Sequence, residues 1–258
     1  MKSTVNVAKA MILAAGRGQR MQPLTDTCPK PLLKVKGQPL MWWPMQALAK
    51  NGFTQHIINT AWLGQQIEDY FGALCAVASD NNSSLNSSHF INLQYSHEAQ
   101  DFGHALETLG GICRALPLLS PCLKEPFWVI AGDVYAPQFE FSTQVLQQFI
   151  QSKALAHLWL VPNPAHNLKG DFAINEQGLA QQDGEIKYTF STIALYKPDL
   201  FQQPLCSIPV GNPNGEVAAL APLLRKAMDL GLVTAQLYEG EWTDVGTPER
   251  LALLNTKD

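Results

Sequence analysis

Apolar runs of strand length alternate along this chain with segments of helical period, the pattern of βαβ units wound on a mostly parallel sheet. Residues 10–14 read as a first strand that empties into a glycine-rich loop. The spacing predicts a helix over residues 39–51, with Pro39 near its first turn and Gly52 just past its end. A strand at 56–60 follows, then a helix at 63–71 whose apolar stripe is Leu63, Ile67, Tyr70 and Phe71 and which Gly72 closes. Residues 79–88, rich in Asn and Ser, read as an exposed loop. Strands recur at 91–95, 127–131 and 155–161, with helices at 105–116 and 142–151 between them. After Pro162 the segments shorten, at 171–175 and 188–195, before a last long helix at 216–230.

These elements predict an α/β fold: a doubly wound, mostly parallel Rossmann-like sheet with a mixed-sheet extension. Residues 1–258 are expected to form one domain, with a first half to about residue 160 and a second from about 161.

Composition narrows the function classes. A formal net charge of −4 offers no basic field, so neither nucleic acid nor an anionic membrane is an expected partner. The five cysteines are widely spaced and never form C-x-x-C, which argues against a disulfide framework and a zinc site and for thiols in a reducing compartment. The apolar run 10–15 is far too short to span a bilayer and lacks a signal-peptide layout, so a cytoplasmic location is expected.

The first strand leads into Ala14-Ala15-Gly16-Arg17-Gly18-Gln19-Arg20-Met21, followed by Pro29-Lys30-Pro31. Gly16 and Gly18 permit close backbone approach to phosphate oxygens, and Arg20 and Lys30 supply positive charge; Lys30 is stiffened between two prolines. The same residues also suit an ordinary tight turn with two solvated cations. Neither the P-loop pattern nor the third glycine of the dinucleotide fingerprint is present. Asp133 follows the strand 127–131 and Asp244 lies in Trp242-Thr243-Asp244-Val245-Gly246-Thr247-Pro248, so both can face the crevice at the strands' carboxyl ends. Two carboxylates suit Mg²⁺, which takes its other ligands from phosphate and water; an Asp before a turn is equally a common cap.

Together with Leu106-Glu107-Thr108, Gly132-Asp133-Val134, Gly170-Asp171-Phe172 and the stretch 61–69, these segments run over nearly the whole chain in one order. They resemble the sugar-1-phosphate nucleotidyltransferase family, most closely its N-acetylmuramate 1-phosphate uridylyltransferase branch. The resemblance implies a nucleotide site at Ala14, Gly16, Gly18, Gln19, Arg20, Lys30, Glu107, Thr108, Gly110 and Gly111. It further implies Arg20 and Lys30 as the catalytic cations, Mg²⁺ on Asp133 and Asp244, and Asp171 at the sugar. UTP and a sugar 1-phosphate would be the substrates, in cell-wall sugar recycling. Glu107-Thr108 can also be read as helix N-terminal chemistry, and Asp171 as a turn residue. Leu109, Ala131 and Thr192 stand where that branch has glycine, asparagine and glycine. Other bases and sugars, or a nucleotide-sugar sensor without turnover, are the competing readings; a dinucleotide oxidoreductase fails on the missing glycine.

Overall fold

The computed structural model describes residues 8–77 and 90–256, so the loop expected at 79–88 lies outside the described residues. Eight strands build one sheet: β1 (Ala10–Leu13), β2 (Gln55–Thr60), β3 (Leu74–Ala76), β4 (Phe90–His97), β5 (Phe127–Ala131), β6 (Ala156–Val161), β7 (Thr189–Tyr196) and β8 (Val233–Leu237). Their spatial order is β8-β6-β7-β5-β1-β2-β4-β3. β1 lies at the centre, parallel to β2 and β5, and β2 continues in parallel to β4. The helices of five residues or more are α1 (Trp42–Lys50), α2 (Gly64–Phe71), α3 (Glu98–Phe102), α4 (Glu107–Leu119), α5 (Thr143–Gln151), α6 (Ala221–Asp229) and α7 (Pro248–Thr256), and a single α-turn, Leu24–Thr27, lies in the loop after β1.

Side chains alternate across β1, so Met11 packs on one face with α4 and α6, while Ala10 and Ile12 pack on the other with α1, α2 and α5. That two-sided cover explains why the central strands are continuous apolar runs. The sheet is mixed in two places: as expected, β7 in the second half runs antiparallel between β5 and β6, with β8 parallel to β6, and at the other edge β3 of the first half also pairs antiparallel with β4, which the sequence pattern did not indicate. Both halves therefore contribute to one sheet and to the apolar cluster on each of its faces.

Several boundaries differ from the sequence reading, each for a local reason. α1 begins at Trp42 rather than at 39, because Gln38–Pro39 pair with Lys34–Val35 in a short antiparallel ribbon. The helix expected over 216–230 is only α6. Asn212 accepts from Glu216 N (2.8 Å) and donates to Glu216 O (2.9 Å), and Ala218 N donates to Leu106 O (3.1 Å), so 216–220 run along the start of α4 instead. β8, α3 and α7 were not foreseen. α7 is fastened by a third apolar cluster in which Leu254 joins Met21, Val35, Leu40, Tyr135 and Val245.

Candidate active site

A cavity of about 1020 Å³ opens at the carboxyl ends of β1 and β5, the position favoured by ligands in open α/β sheets. Its first wall is the loop after β1. Gly18 has φ +66°, and a Cβ there would lie 3.0 Å from Thr25 Cγ2 and 3.2 Å from Lys30 Cβ, so this position requires glycine twice over. Thr25, wholly buried, donates to Gly18 O at 2.8 Å and fixes the turn. Gly16 faces open space, with no protein atom within 4 Å of a Cβ built there. Arg20 and Gln19 are exposed and line the cavity.

Arg17 also borders the cavity, but its guanidinium is spent on the fold. Its guanidinium donates to Thr25 O (2.7 Å) and Asp26 (2.9 Å) and stacks over Trp62 at 3.7 Å. Hydrogen bonds from Gln22 and Arg17 hold the Asp26 carboxyl below its usual range. Trp62 Nε1 also donates to Thr25 O (2.9 Å) and Gln66 to Thr27 O (3.1 Å). The stretch 61–69 thus braces the glycine loop from behind, with no side chain in the cavity wall.

Lys30 starts a single 3-10 turn after Pro29, and its ammonium is ion-paired with Asp133 across the cavity floor. Asp133 and Asp244 are brought together by a two-stranded ribbon, Val134–Tyr135 against Thr243–Asp244, with Val245 N donating to Asp133 O at 2.9 Å. Asp244 is engaged by Arg250 and by His166 (3.0 Å) and is not itself in the cavity wall, although Gly246 is. Among the described residues no cluster of three or more His, Cys, Asp or Glu side chains could hold a metal. Two carboxylates on neighbouring backbone segments are nevertheless the kind of donor that a hard divalent ion uses when it shares its shell with phosphate and water.

The second wall holds Ala105, Glu107 and Thr108 at the start of α4. Glu107 has φ +57°, an unusual conformation for a non-glycine residue. Gly110 and Gly111, expected at the nucleotide, are not among the residues that line the cavity. A Cβ at Gly110 would lie 2.3 Å from Glu216 O, and one at Gly111 would lie 2.5 Å from Glu98 Oε1, so both are glycine because α4 packs closely against its neighbours. Leu109 likewise points into the core rather than into the cavity.

The sequence reading missed Asn59 and Glu98. Asn59 is buried at the end of β2, lines the cavity, accepts from Ala14 N (2.9 Å) and donates to Glu98 Oε1 (2.7 Å). Glu98 has no exposed surface and accepts from Leu106 N (2.7 Å) with its other oxygen. Burial pushes its carboxyl above the usual range, against those two hydrogen bonds. The one sequence signal was a polar residue ending an apolar strand. Arg225, on the same face of α6 as Ala221 and Leu224, also lines the cavity and was not foreseen.

The third wall comes from the second half. Asp171 lines the cavity and accepts from Phe190 N (2.8 Å), so its carboxylate also ties 171–172 to β7. Phe172, Phe190 and Tyr196 give an apolar surface beside it. Thr192 sits at φ +61° where the β6–β7 register shifts, a left-handed conformation unusual for a β-branched side chain. Its hydroxyl donates to Ser191 O at 2.6 Å. Ala131 is a further part of the wall.

Comparison with known proteins bears on the identity of this cavity. Residues 9–258 match the family described as Nucleotidyl transferase. The chain is 43% identical over 246 residues to the N-acetylmuramate alpha-1-phosphate uridylyltransferase of Neisseria meningitidis serogroup B, covering 94% of this chain and 95% of that protein. It is 27% identical over 254 residues to the UTP–glucose-1-phosphate uridylyltransferase of Synechocystis, covering 92% of this chain and 60% of that one. The fold superposes on a Bacillus anthracis chain described as a glucose-1-phosphate thymidylyltransferase in complex with sucrose, with TM-score 0.72, 19% identity and coverage of 97% and 96%.

Proposed function

This chain belongs to the nucleotidyl transferase family, and from that premise we propose that it transfers uridylyl from UTP to N-acetylmuramic acid 1-phosphate, releasing pyrophosphate. That it is an enzyme of nucleotidyl transfer follows from the family; the base and the sugar are the finer reading. The observation that carries this reading is the joining, in one cavity, of the glycine loop, the Lys30–Asp133 pair and the Asp171–Phe172 wall. The 43% identity to the Neisseria enzyme, over 94% of this chain and 95% of that one, supports the choice of substrates.

The acceptor phosphate is largely dianionic near neutral pH, its second pKa being about 6, so no general base is needed. The reaction asks for two anions to be held in line while charge on the transferring and leaving oxygens is stabilised. In this reading the first half of the chain binds the nucleotide and the second half the sugar. Gly16, Gly18 and Gln19 present the loop to the triphosphate, Arg20 neutralises it from the exposed rim, and Lys30 reaches the α-phosphate. Glu107 and Thr108 flank the nucleoside and Asp171 meets the sugar.

Enzymes of this family generally use a divalent metal. We assign Mg²⁺ to Asp133 and Asp244, where it would supply charge neutralisation to the phosphates. No helix of the described residues is long and apolar enough to cross a membrane. The five cysteines, widely spaced and never in C-x-x-C, suit a reducing, cytoplasmic setting.

The test is pyrophosphate release with Mg²⁺, pairing UTP, dTTP, GTP, CTP and ATP in turn with the 1-phosphates of N-acetylmuramic acid, N-acetylglucosamine, glucose and mannose. Turnover highest with UTP and the muramic acid derivative is the expected result. A different best pair moves the substrate assignment, and silence across the panel removes it.

A further inference from the structure

The buried pair Asn59 and Glu98 touches both walls that a nucleotide would lie between. Asn59 Oδ1 holds the N–H of Ala14, the first residue beyond β1. Asn59 Nδ2 donates to Glu98 Oε1, and Glu98 Oε2 holds the N–H of Leu106, the residue before Glu107. The chain of bonds therefore runs from the root of the glycine loop to the root of the Glu107–Thr108 wall without an intervening solvent molecule. Glu98 is 0% exposed, and Asn59, at the cavity wall, only 3%. The missing Cβ of Gly111 is part of the same arrangement, since it would lie 2.5 Å from Glu98 Oε1 and 3.0 Å from Asn59 Nδ2.

A buried carboxylate is a costly way to join two backbone amides; an apolar contact would be cheaper for stability alone. What the carboxylate and amide add is fixed geometry, because each donor and acceptor has one partner at one distance. We infer that Asn59 and Glu98 are positioning residues that set the gap between the glycine loop and the start of α4, and so set nucleotide affinity without touching the reacting atoms. The inference rests on the reading of this cavity as a nucleotide site. It goes beyond that reading by assigning affinity to two residues outside the phosphate and sugar contacts.

The hydrogen-bond polarity of the pair supplies its test. In Glu98→Gln, whichever way the new amide turns, its NH₂ faces either the Asn59 NH₂ or the Leu106 N–H, so one link is lost. In Asn59→Asp, two carboxylates face each other across the Asn59–Glu98 link. In the double variant every link is restored with the charge moved along. The new carboxylate accepts from Ala14 N–H and from the new amide, whose oxygen accepts from Leu106 N–H.

Each single variant is expected to raise KM for UTP about tenfold, the low end for one charge-assisted hydrogen bond, with KM for the sugar 1-phosphate within about twofold of wild type. The double variant is expected to return KM for UTP to within about threefold. Thermal unfolding of all four proteins runs alongside, since a merely structural pair would lose folded protein and kcat while leaving KM intact. Unchanged KM in the single variants overturns the inference. So does a double variant no better than either single, and this arm decides if the single variants fail to fold.

The wild-type panel separates this failure from failure of the proposed function. If another triphosphate proves to be the substrate, it becomes the varied one. If nothing turns over, titrated dissociation constants for UTP in the presence of Mg²⁺ carry the same comparison, with the same pattern of loss and rescue expected and its absence overturning the inference.

Discussion

Two glycines two residues apart should respond to the same substitution in opposite ways. At Gly18 an alanine must adopt φ near +66° and place its methyl 3.0 Å from Thr25 Cγ2 and 3.2 Å from Lys30 Cβ. The left-handed conformation costs about 1–2 kcal/mol and crowding of this kind about 1–3 kcal/mol, so Gly18→Ala should lose roughly 2–5 kcal/mol of stability. At Gly16 the backbone is outside the left-handed region and no protein atom lies within 4 Å of the added methyl. Loss of unfolded-state freedom then makes Gly16→Ala neutral or stabilising by about 0.4–1 kcal/mol. The space in front of Gly16 is cavity, however, and a methyl there holds a phosphate oxygen off the backbone. Losing one such charged hydrogen bond corresponds to about 10- to 100-fold in KM for the triphosphate.

Urea unfolding gives the first quantity and pyrophosphate release the second. A Gly16→Ala protein with unchanged KM for UTP would mean that no phosphate approaches this loop. A Gly18→Ala protein as stable as wild type would refute the steric account of the turn.

The contrast between these glycines also shows what sequence could reach. Gly16 and Gly18 were legible as a loop because they follow an apolar strand, and Lys30 because two prolines flank it; chain order alone put both near one strand end. Gly110 and Gly111 look the same in sequence, yet their missing Cβ atoms make room for Glu216 O and Glu98 within the packed core. Only the tertiary neighbour distinguishes a glycine that admits a ligand from one that admits another chain segment. Asn59 and Glu98 were invisible for the same reason: their partners lie 39 to 45 residues away along the chain, except for Leu106. β8 was missed because five residues on the sheet's edge carry little periodic signal. The central strands, buried on both faces, carried the strongest pattern and were placed to within a residue or two.

Three further outcomes are expected. Lys30→Ala should lower kcat by about 10²–10³ with the urea midpoint little changed, because Asp133, with its side chain 28% exposed, can be hydrated once its partner is gone; an unaltered kcat would remove Lys30 from the reaction. Asp133→Asn should shift the Mg²⁺ dependence of pyrophosphate release to higher concentration more than it alters folding, and an unshifted Mg²⁺ curve would dissociate Asp133 from the metal. Acid should loosen the fold through His56 and His157, both of which burial pushes down to about 4. Their ordinary value is 6.5, so between these two values the unfolded chain binds protons that the folded chain refuses, and stability falls as pH falls. The contribution is fully present above about pH 6.5 and, by pH 5.5, roughly 1 kcal/mol should be lost for each histidine. His56 is the sharper case, because its Nε2 is bonded to Phe53 O at 2.9 Å while its Nδ1 is buried without a partner, leaving a proton there nowhere to donate. His56→Leu will change the baseline stability by orphaning that carbonyl, but it should also remove about half of the pH slope of the urea midpoint between pH 7 and 5.5. An unchanged slope would show that His56 titrates normally in the folded protein and that its burial does not exclude the proton.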